Sequence, residues 1–205
     1  MPSVISHFAA GASLALPFTG LNAATRAVRP AGLVLAAGVL AVAPDLDTLF
    51  LGAIPYGHFY GHRGFFHSPC FALFVSIAAA SLVFAVSRHF TWSGWLTVSC
   101  AFCLAVVSHG VLDGMSDGGL GVMLLYPWSD RRVFLPWRPF PAPPMRISGL
   151  PMELVVLILR AELPLVLGCM AAAGLLRLRL RRSRQKTGAG EIPTGEQKEL
   201  PLGLG

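Results

Sequence analysis

Charge is scarce in this chain. Only 13% of its 205 residues are Asp, Glu, Lys or Arg, against about 25% in an ordinary soluble domain, and none lies between Pro69 and Ser87. That deficit excludes a water-soluble fold. With an apolar fraction of 54% and a mean hydropathy of +0.64, the composition describes an integral membrane protein. Cysteine is sparse too, and Cys70, Cys100, Cys103 and Cys169 all fall inside apolar runs, where a thiol behaves as a small hydrophobe. The Cys100-x-x-Cys103 spacing lacks a thioredoxin-like context and reads as packing. The N-terminal stretch has no basic region of the signal-peptide kind, its first arginine being Arg26, so residues 1–25, with His7 among them, are expected to stay in the mature protein.

The net charge of +6 does not point to nucleic acid, because the basic residues lie between or after apolar runs rather than on one soluble face. Five membrane-crossing helices are expected, giving an all-α polytopic bundle. The first apolar run, Phe8 to Leu21, is short for a hydrocarbon core of ~30 Å unless extended from His7 to Ala24. The second is Ala31 to Leu51, and Pro44 should distort or restart its helix. A Gly-rich connection, Gly52 to Ser68, reads as a loop with one helical turn. The third and fourth spans are Pro69 to Ser87 and about Thr91 to Leu112. Trp128, Trp137 and Tyr126 in the next segment suit the aromatic belt at a membrane interface. The last span lies within Leu150 to Leu176. Glu153, Arg160 and Glu162 inside it should face protein partners or mark a tilted or broken helix, with Pro164 favouring a break. Residues 1–176 form the membrane domain, and 177–205 are expected to be a disordered cytoplasmic tail.

Basic residues divide nine to five between the two faces of this topology. Arg26, Arg29, Arg88 and the cluster from Arg177 to Lys186 stand on one face, with Arg63, Arg131, Arg132, Arg138 and Arg146 on the other. The positive-inside rule makes the first face cytoplasmic. His7, Asp45, Asp47, His62, His67, His109 and Asp113, with His58 and Asp117, then gather at the extracytoplasmic face. Taken singly, each pair has an ordinary explanation: His109 and Asp113 share a helix face as a capped end would, and His62 and His67 sit on a polar loop. As a set they match a metal site. Imidazoles mixed with carboxylates and no thiolate suit one or two divalent ions such as zinc, manganese or iron in a hydrolytic centre.

Arg63, Arg131 and Arg132 on the same face could hold an anionic group bidentately, although Arg131 and Arg132 could equally meet lipid headgroups. Ser68 and Ser108 flank histidines, but no strand-to-helix nucleophile elbow is present, and hydrogen bonds that orient the ligating side chains suit them better.

The order of these motifs carries a family resemblance. His7 in Ser-His-Phe-Ala-Ala-Gly, Ala-Pro-Asp45-Leu-Asp47, His62-Arg63-Gly-Phe-Phe-His67-Ser68 and His109-Gly-Val-Leu-Asp113, followed by the run from Gly121 to Arg132, resemble the bacterial inner-membrane predicted metal-dependent hydrolases of the YdjM-like, LexA-regulated group. The resemblance covers roughly residues 1–176. Phe66 stands where the family often has threonine, and Gly114 to Gly119 is unusually glycine-rich. The resemblance implies an inner-membrane location and a metal-dependent hydrolase. The residues lead to the same expectation: His7, Asp45, Asp47, His62, His67, His109 and Asp113 as ligands, a metal-activated water as nucleophile, and Arg63, Arg131 and Arg132 holding a phosphoester or other lipid-associated ester. The competing expectation is a metal-binding transport or structural stress protein without hydrolysis. Glu153, Arg160 and Glu162 are the residues deep in the spans that would favour transport.

Overall fold

The computed structural model describes residues 2–22, 25, 28–87, 90–142 and 151–186. Arg26, Arg88, His89, Arg146 and the tail from 187 onward lie outside them. The chain is all-helical, and no strand occurs among the described residues.

Local chemistry sets each helix boundary. In α1, Val4–Ala15, the Ser3 side chain accepts the Ser6 N–H as N-cap. The chain tightens into a 3₁₀ turn, Leu16–Phe18, and then bends at Gly20, whose φ of +70° closes the route to a longer helix. The expected extension of this span to Ala24 is therefore not made, and the first apolar helical segment, Val4–Phe18, is shorter than the others. Pro30 opens α2, Pro30–Val42, at a position where its missing N–H costs nothing. Pro44 ends that helix as anticipated, and the chain continues as a 3₁₀ segment, Ala43–Phe50.

After the loop, a single 3₁₀ turn at Phe65–His67 leads into α3, Pro69–Ser87, where Ser68 Oγ accepts the Phe71 N–H. Thr91 caps α4, Trp92–Gly114, in the same manner through Gly94 N–H. The last helix, α5, runs Met152–Lys186 without a break at Pro164, contrary to the expectation for that proline. Membrane helices tolerate a proline because the freed carbonyl finds other partners. Its final turns continue past Leu176 because Leu and Arg are strong helix formers, so residues 177–186, expected as tail, are helical.

Four segments are long and apolar enough to cross a membrane: Pro30–Phe50, Pro69–Ser87, Trp92–Gly114 and Met152–Gln185. Helix α1 packs on α2 and α4, α3 packs on α4, and α5 lies against α1. The central contact is made by Ala15, Ala37, Ala41, Ala80, Ala101 and Ala105 around Phe84 and Phe102. Small residues there let backbones approach, which matters in lipid because packing rather than water exclusion drives association. Leu35, Val39, Phe74, Leu82 and Val86 point outward and are exposed, as a lipid-facing surface requires.

Residues 115–142 are irregular and fold back over the end of α4. Leu135 N–H donates to Gly114 O, and Val122 and Val133 exchange both backbone bonds. Trp128 and Trp137 are exposed on this segment, whereas Tyr126 packs edge-on against Phe59 and Phe65. Beneath the segment, the start of α1, the end of α2, the loop before α3 and the end of α4 meet.

Candidate metal centre

Seven side chains converge at that meeting point. His7 comes from the first turns of α1, Asp45 and Asp47 from the 3₁₀ segment after α2, His62 from the loop and His67 from its closing turn. His109 and Asp113 lie one turn apart on α4. All seven are buried, with residue exposures from 0% at His7, His109 and Asp113 to 8% at Asp45. So much polar chemistry is costly away from water unless it is partnered.

The donor atoms face one another across short gaps. His109 Nε2 lies 3.3 Å from Asp45 Oδ1 and 3.8 Å from Asp113 Oδ2, and His67 Nε2 lies 3.6 and 3.5 Å from the same two oxygens. His7 Nε2 is 3.4 Å from Asp113 Oδ1, and its ring stacks on His109 with centroids 3.8 Å apart. Two groups of ligand atoms result, each within 4.8 Å: Asp45, His62, His67 and Asp113 in one, His7, Asp45 and His109 in the other. Asp45 belongs to both.

Hydrogen bonding gives the test of whether a metal fits. Both nitrogens of His7 and His67, His109 Nε2 and both carboxylate oxygens of Asp45 and Asp113 are buried without a hydrogen-bond partner. Native interiors rarely leave such groups unsatisfied, and a divalent cation would satisfy them together. The tautomer of His109 agrees: its Nδ1 lies 2.7 Å from Ala41 O, a carbonyl that can only accept, so Nδ1 carries the proton and Nε2 presents a lone pair to the site. These donors fit an ion.

Asp47 takes a different place from the ligand role expected of it. Its Oδ1 accepts from His62 Nδ1 at 2.7 Å and its Oδ2 lies 3.2 Å from His67 Nδ1, behind both rings and outside both donor groups. It orients the two imidazoles, as carboxylates behind metal-binding histidines do. Burial alone would lower the His67 pKa, but the nearby carboxylates of Asp45, Asp47 and Asp113 raise it to about 9.

The arginines also depart from the expected anion clamp. Arg63 is 2% exposed and adopts a left-handed backbone with φ of +64°, a strained conformation for a non-glycine residue. Its guanidinium donates to Gly118 O at 2.6 Å and Ser116 Oγ at 2.9 Å, and Nε lies 3.3 Å from Asp113 Oδ2. It therefore neutralises and positions a proposed ligand and ties the loop to the chain after α4. Arg132 braces the same loop by donating to the carbonyls of His62, Tyr56 and His58. Arg131 is left exposed.

Close backbone approach explains the glycines. A Cβ at Gly61 would collide with the carbonyls of Pro55 and Tyr56, and one at Gly64 with those of Phe59 and Gly61, so the loop doubles back on itself and turns His62 and His67 inward as expected. Gly110 was not singled out by sequence reasoning. A Cβ there would lie 2.5 Å from His67 O, so only glycine lets the loop seat directly on α4 beside His109.

Glu162, inside the last span, faces protein partners as expected of it. It accepts from Ser3 N–H at 2.8 Å and from the hydroxyls of Ser3 and Ser6 at 2.5 Å each, fixing the turn that carries His7. Its charge inside an apolar span was the available signal. Outside the centre, Asp117 accepts the Ala142 N–H, His58 accepts the Tyr60 N–H, and Glu153 is exposed. Ser68 caps α3, and Ser108 Oγ donates to Ala105 O.

The chain is 35% identical over 149 residues to the inner membrane protein YbcI of Escherichia coli strain K12, an alignment covering 72% of this chain and 80% of that protein. No solved structure gives a significant match. At the family level, residues 1–184 match the YdjM inner membrane protein family, a range that holds α1 to α4, all but the last two residues of α5 and every residue of the buried cluster. The chain belongs to the YdjM inner membrane protein family.

Proposed function

We propose that the protein is a membrane-bound, metal-dependent hydrolase acting on a phosphoester or another lipid-associated ester. The observation that carries this reading is the set of buried imidazole and carboxylate donors that have no hydrogen-bond partner in the protein. His62, His67 and Asp113 would hold one ion, His7 and His109 a second, and Asp45 would serve both. Zinc, manganese or iron suits such a mixed oxygen and nitrogen set. When bound, the ion supplies Lewis acidity, polarising a phosphoryl or carbonyl oxygen and acidifying water.

The protein's own residues do the rest. Asp47 holds two imidazoles in register, and Ala41 O fixes the His109 tautomer. Arg63 balances the charge of Asp113, and burial keeps bulk water away. Arg131, exposed on the segment that covers the site, is the arginine free to meet an anionic group. By the charge count along the sequence, the site opens to the extracytoplasmic side, with the bilayer as the source of substrate.

A second reading keeps the ion without turnover, as a transport or structural protein, and the complete burial of His7, His109 and Asp113 favours it. Metal analysis of the purified full chain beside Asp45→Ala separates metal binding from an incidental polar core: stoichiometric metal in wild type and its loss in the variant is expected, and wild type without metal overturns the reading. Reconstituted vesicles offered chromogenic phosphoesters and labelled divalent ions then decide between the two readings. Turnover supports the hydrolase, and ion flux without turnover supports transport.

A further inference from the structure

At the other end of α1 from His7 lies a second polar site with the opposite charge. Arg177 is about 22 Å further along α5 than Glu162 at 1.5 Å per residue. Arg177, Arg181 and Arg184 fall on one face of that helix, and they line a cavity of about 230 Å³ closed on its far side by Pro17, Thr19 and Leu21. Arg184 is fixed there by donating to Gly20 O at 2.6 Å. Arg177 Nε is buried without a hydrogen-bond partner. Among the described residues no carboxylate lines the cavity.

Such an arrangement is unfavourable alone. Arg177 and Arg181 are like charges one turn apart, which repel, and a buried guanidinium nitrogen without an acceptor loses hydration it does not recover. An anion with several acceptor oxygens reverses both effects. Guanidinium forks match phosphate oxygens bidentately, and Pro17, Leu21 and Leu180 supply apolar walls. Basic pockets between membrane helices bind lipid headgroups by these means.

We propose that the pocket formed by Arg177, Arg181 and Arg184 against the turn after α1 binds a phosphate-bearing anion, the phosphate coming either from an anionic phospholipid headgroup or from free phosphate. The pocket is independent of the metal centre, so neither reading depends on the other.

The test uses the full chain in detergent, titrated with phosphatidylglycerol, with phosphatidylcholine and with inorganic phosphate. Native mass spectrometry reads lipid retention, and calorimetry reads phosphate binding. Saturable binding of phosphatidylglycerol or of phosphate is expected, weakened at least tenfold by Arg177→Gln with Arg181→Gln. Preference for phosphatidylglycerol assigns the lipid as source, and tighter binding of inorganic phosphate assigns the free anion. Arg179→Gln with Arg182→Gln removes the same charge from outside the pocket and should leave affinity within about twofold. Equal weakening by the two pairs would mean general surface attraction and would overturn the proposal, as would absence of binding to both phosphatidylglycerol and phosphate. If the glutamine pair does not fold, Arg177→Lys with Arg181→Lys keeps the charge but loses the fork, and a several-fold loss is expected; binding equal to wild type overturns the site.

Discussion

Helices α4 and α5 are both long enough to cross a membrane, yet they are used in opposite ways. Half of the most apolar stretch of α4 is buried inside the protein, against 11% for α5. The packed helix carries His109 and Asp113 and touches α1, α2 and α3. The peripheral one lies against α1 and contributes a single buried charge, Glu162. The contrast teaches where a membrane protein can hold ionisable groups. On α4 they are collected where other elements supply opposite charges, and on α5 the buried carboxylate is satisfied by two serines of its neighbour.

The sharpest way to break this contrast is Asp113→Ala on α4. It removes a proposed ligand and leaves Arg63 buried beside no carboxylate. An uncompensated buried charge costs about 3 to 5 kcal/mol, so a large fall in thermal midpoint and metal content below detection are expected. Thermal unfolding and elemental analysis of the same preparation check both. Wild-type metal content would show that Asp113 is an ion-pair partner alone.

Gly110→Ala tests the backbone of the same helix. The added methyl meets His67 O, so the loop must move, at about 1 to 3 kcal/mol for overpacking. Metal affinity should drop with stability because His67 shifts with its carbonyl. The equivalent change at Gly168 on α5, where an added Cβ meets nothing within 4 Å, should be neutral or slightly stabilising because alanine is the better helix former. A denaturation series on the two variants measures the difference.

Much of this contrast was legible in the sequence, for physical reasons. Hydropathy located α2, α3 and α4, because crossing lipid demands uninterrupted apolar length. Pro44 announced the turn that carries Asp45 and Asp47. The convergence of His7, Asp45, His62, His67, His109 and Asp113 followed from counting spans. What was not legible depended on contacts between distant residues. Arg63 looked like a substrate clamp until Gly118, Ser116 and Asp113 were seen to occupy its guanidinium, and Asp47 differs from Asp45 only in which side of the rings it reaches. The short first helix and the unbroken α5 failed for local reasons: Gly20 turned the chain early, and Pro164 was tolerated inside a helix.

The pH dependence of metal uptake provides a smaller, graded effect at the α4 end. With no ion bound, the His67 pKa is raised to about 9, so the imidazole is protonated below that pH, and an ion can bind it only by displacing the proton. Metal affinity should therefore fall about tenfold for each unit the pH drops below 9, while His67 is the group that titrates, and level off above. The contribution of this group to the stability of the ion-free protein has the opposite sign. A raised folded-state pKa stabilises fully below the unfolded value near 6.5, and that stability is lost as pH rises through about 9. Titration of metal affinity against pH, beside unfolding of chelator-treated protein, should show the two trends crossing.

Glu162→Gln on α5 gives the smallest effect and the most selective one. Glutamine keeps one acceptor oxygen where the carboxylate accepts three hydrogen bonds, and exchanging charge-assisted bonds for neutral ones costs about 1 kcal/mol. The loss falls on Ser3 and Ser6, which frame His7, so metal held through His7 and His109 should weaken while metal held through His62 and His67 stays. Stepwise chelation followed by elemental analysis resolves the two populations. Loss of both together would mean that α5 supports the whole fold rather than the α1 turn. Loss of neither would mean that His7 is positioned by its stacking on His109 alone.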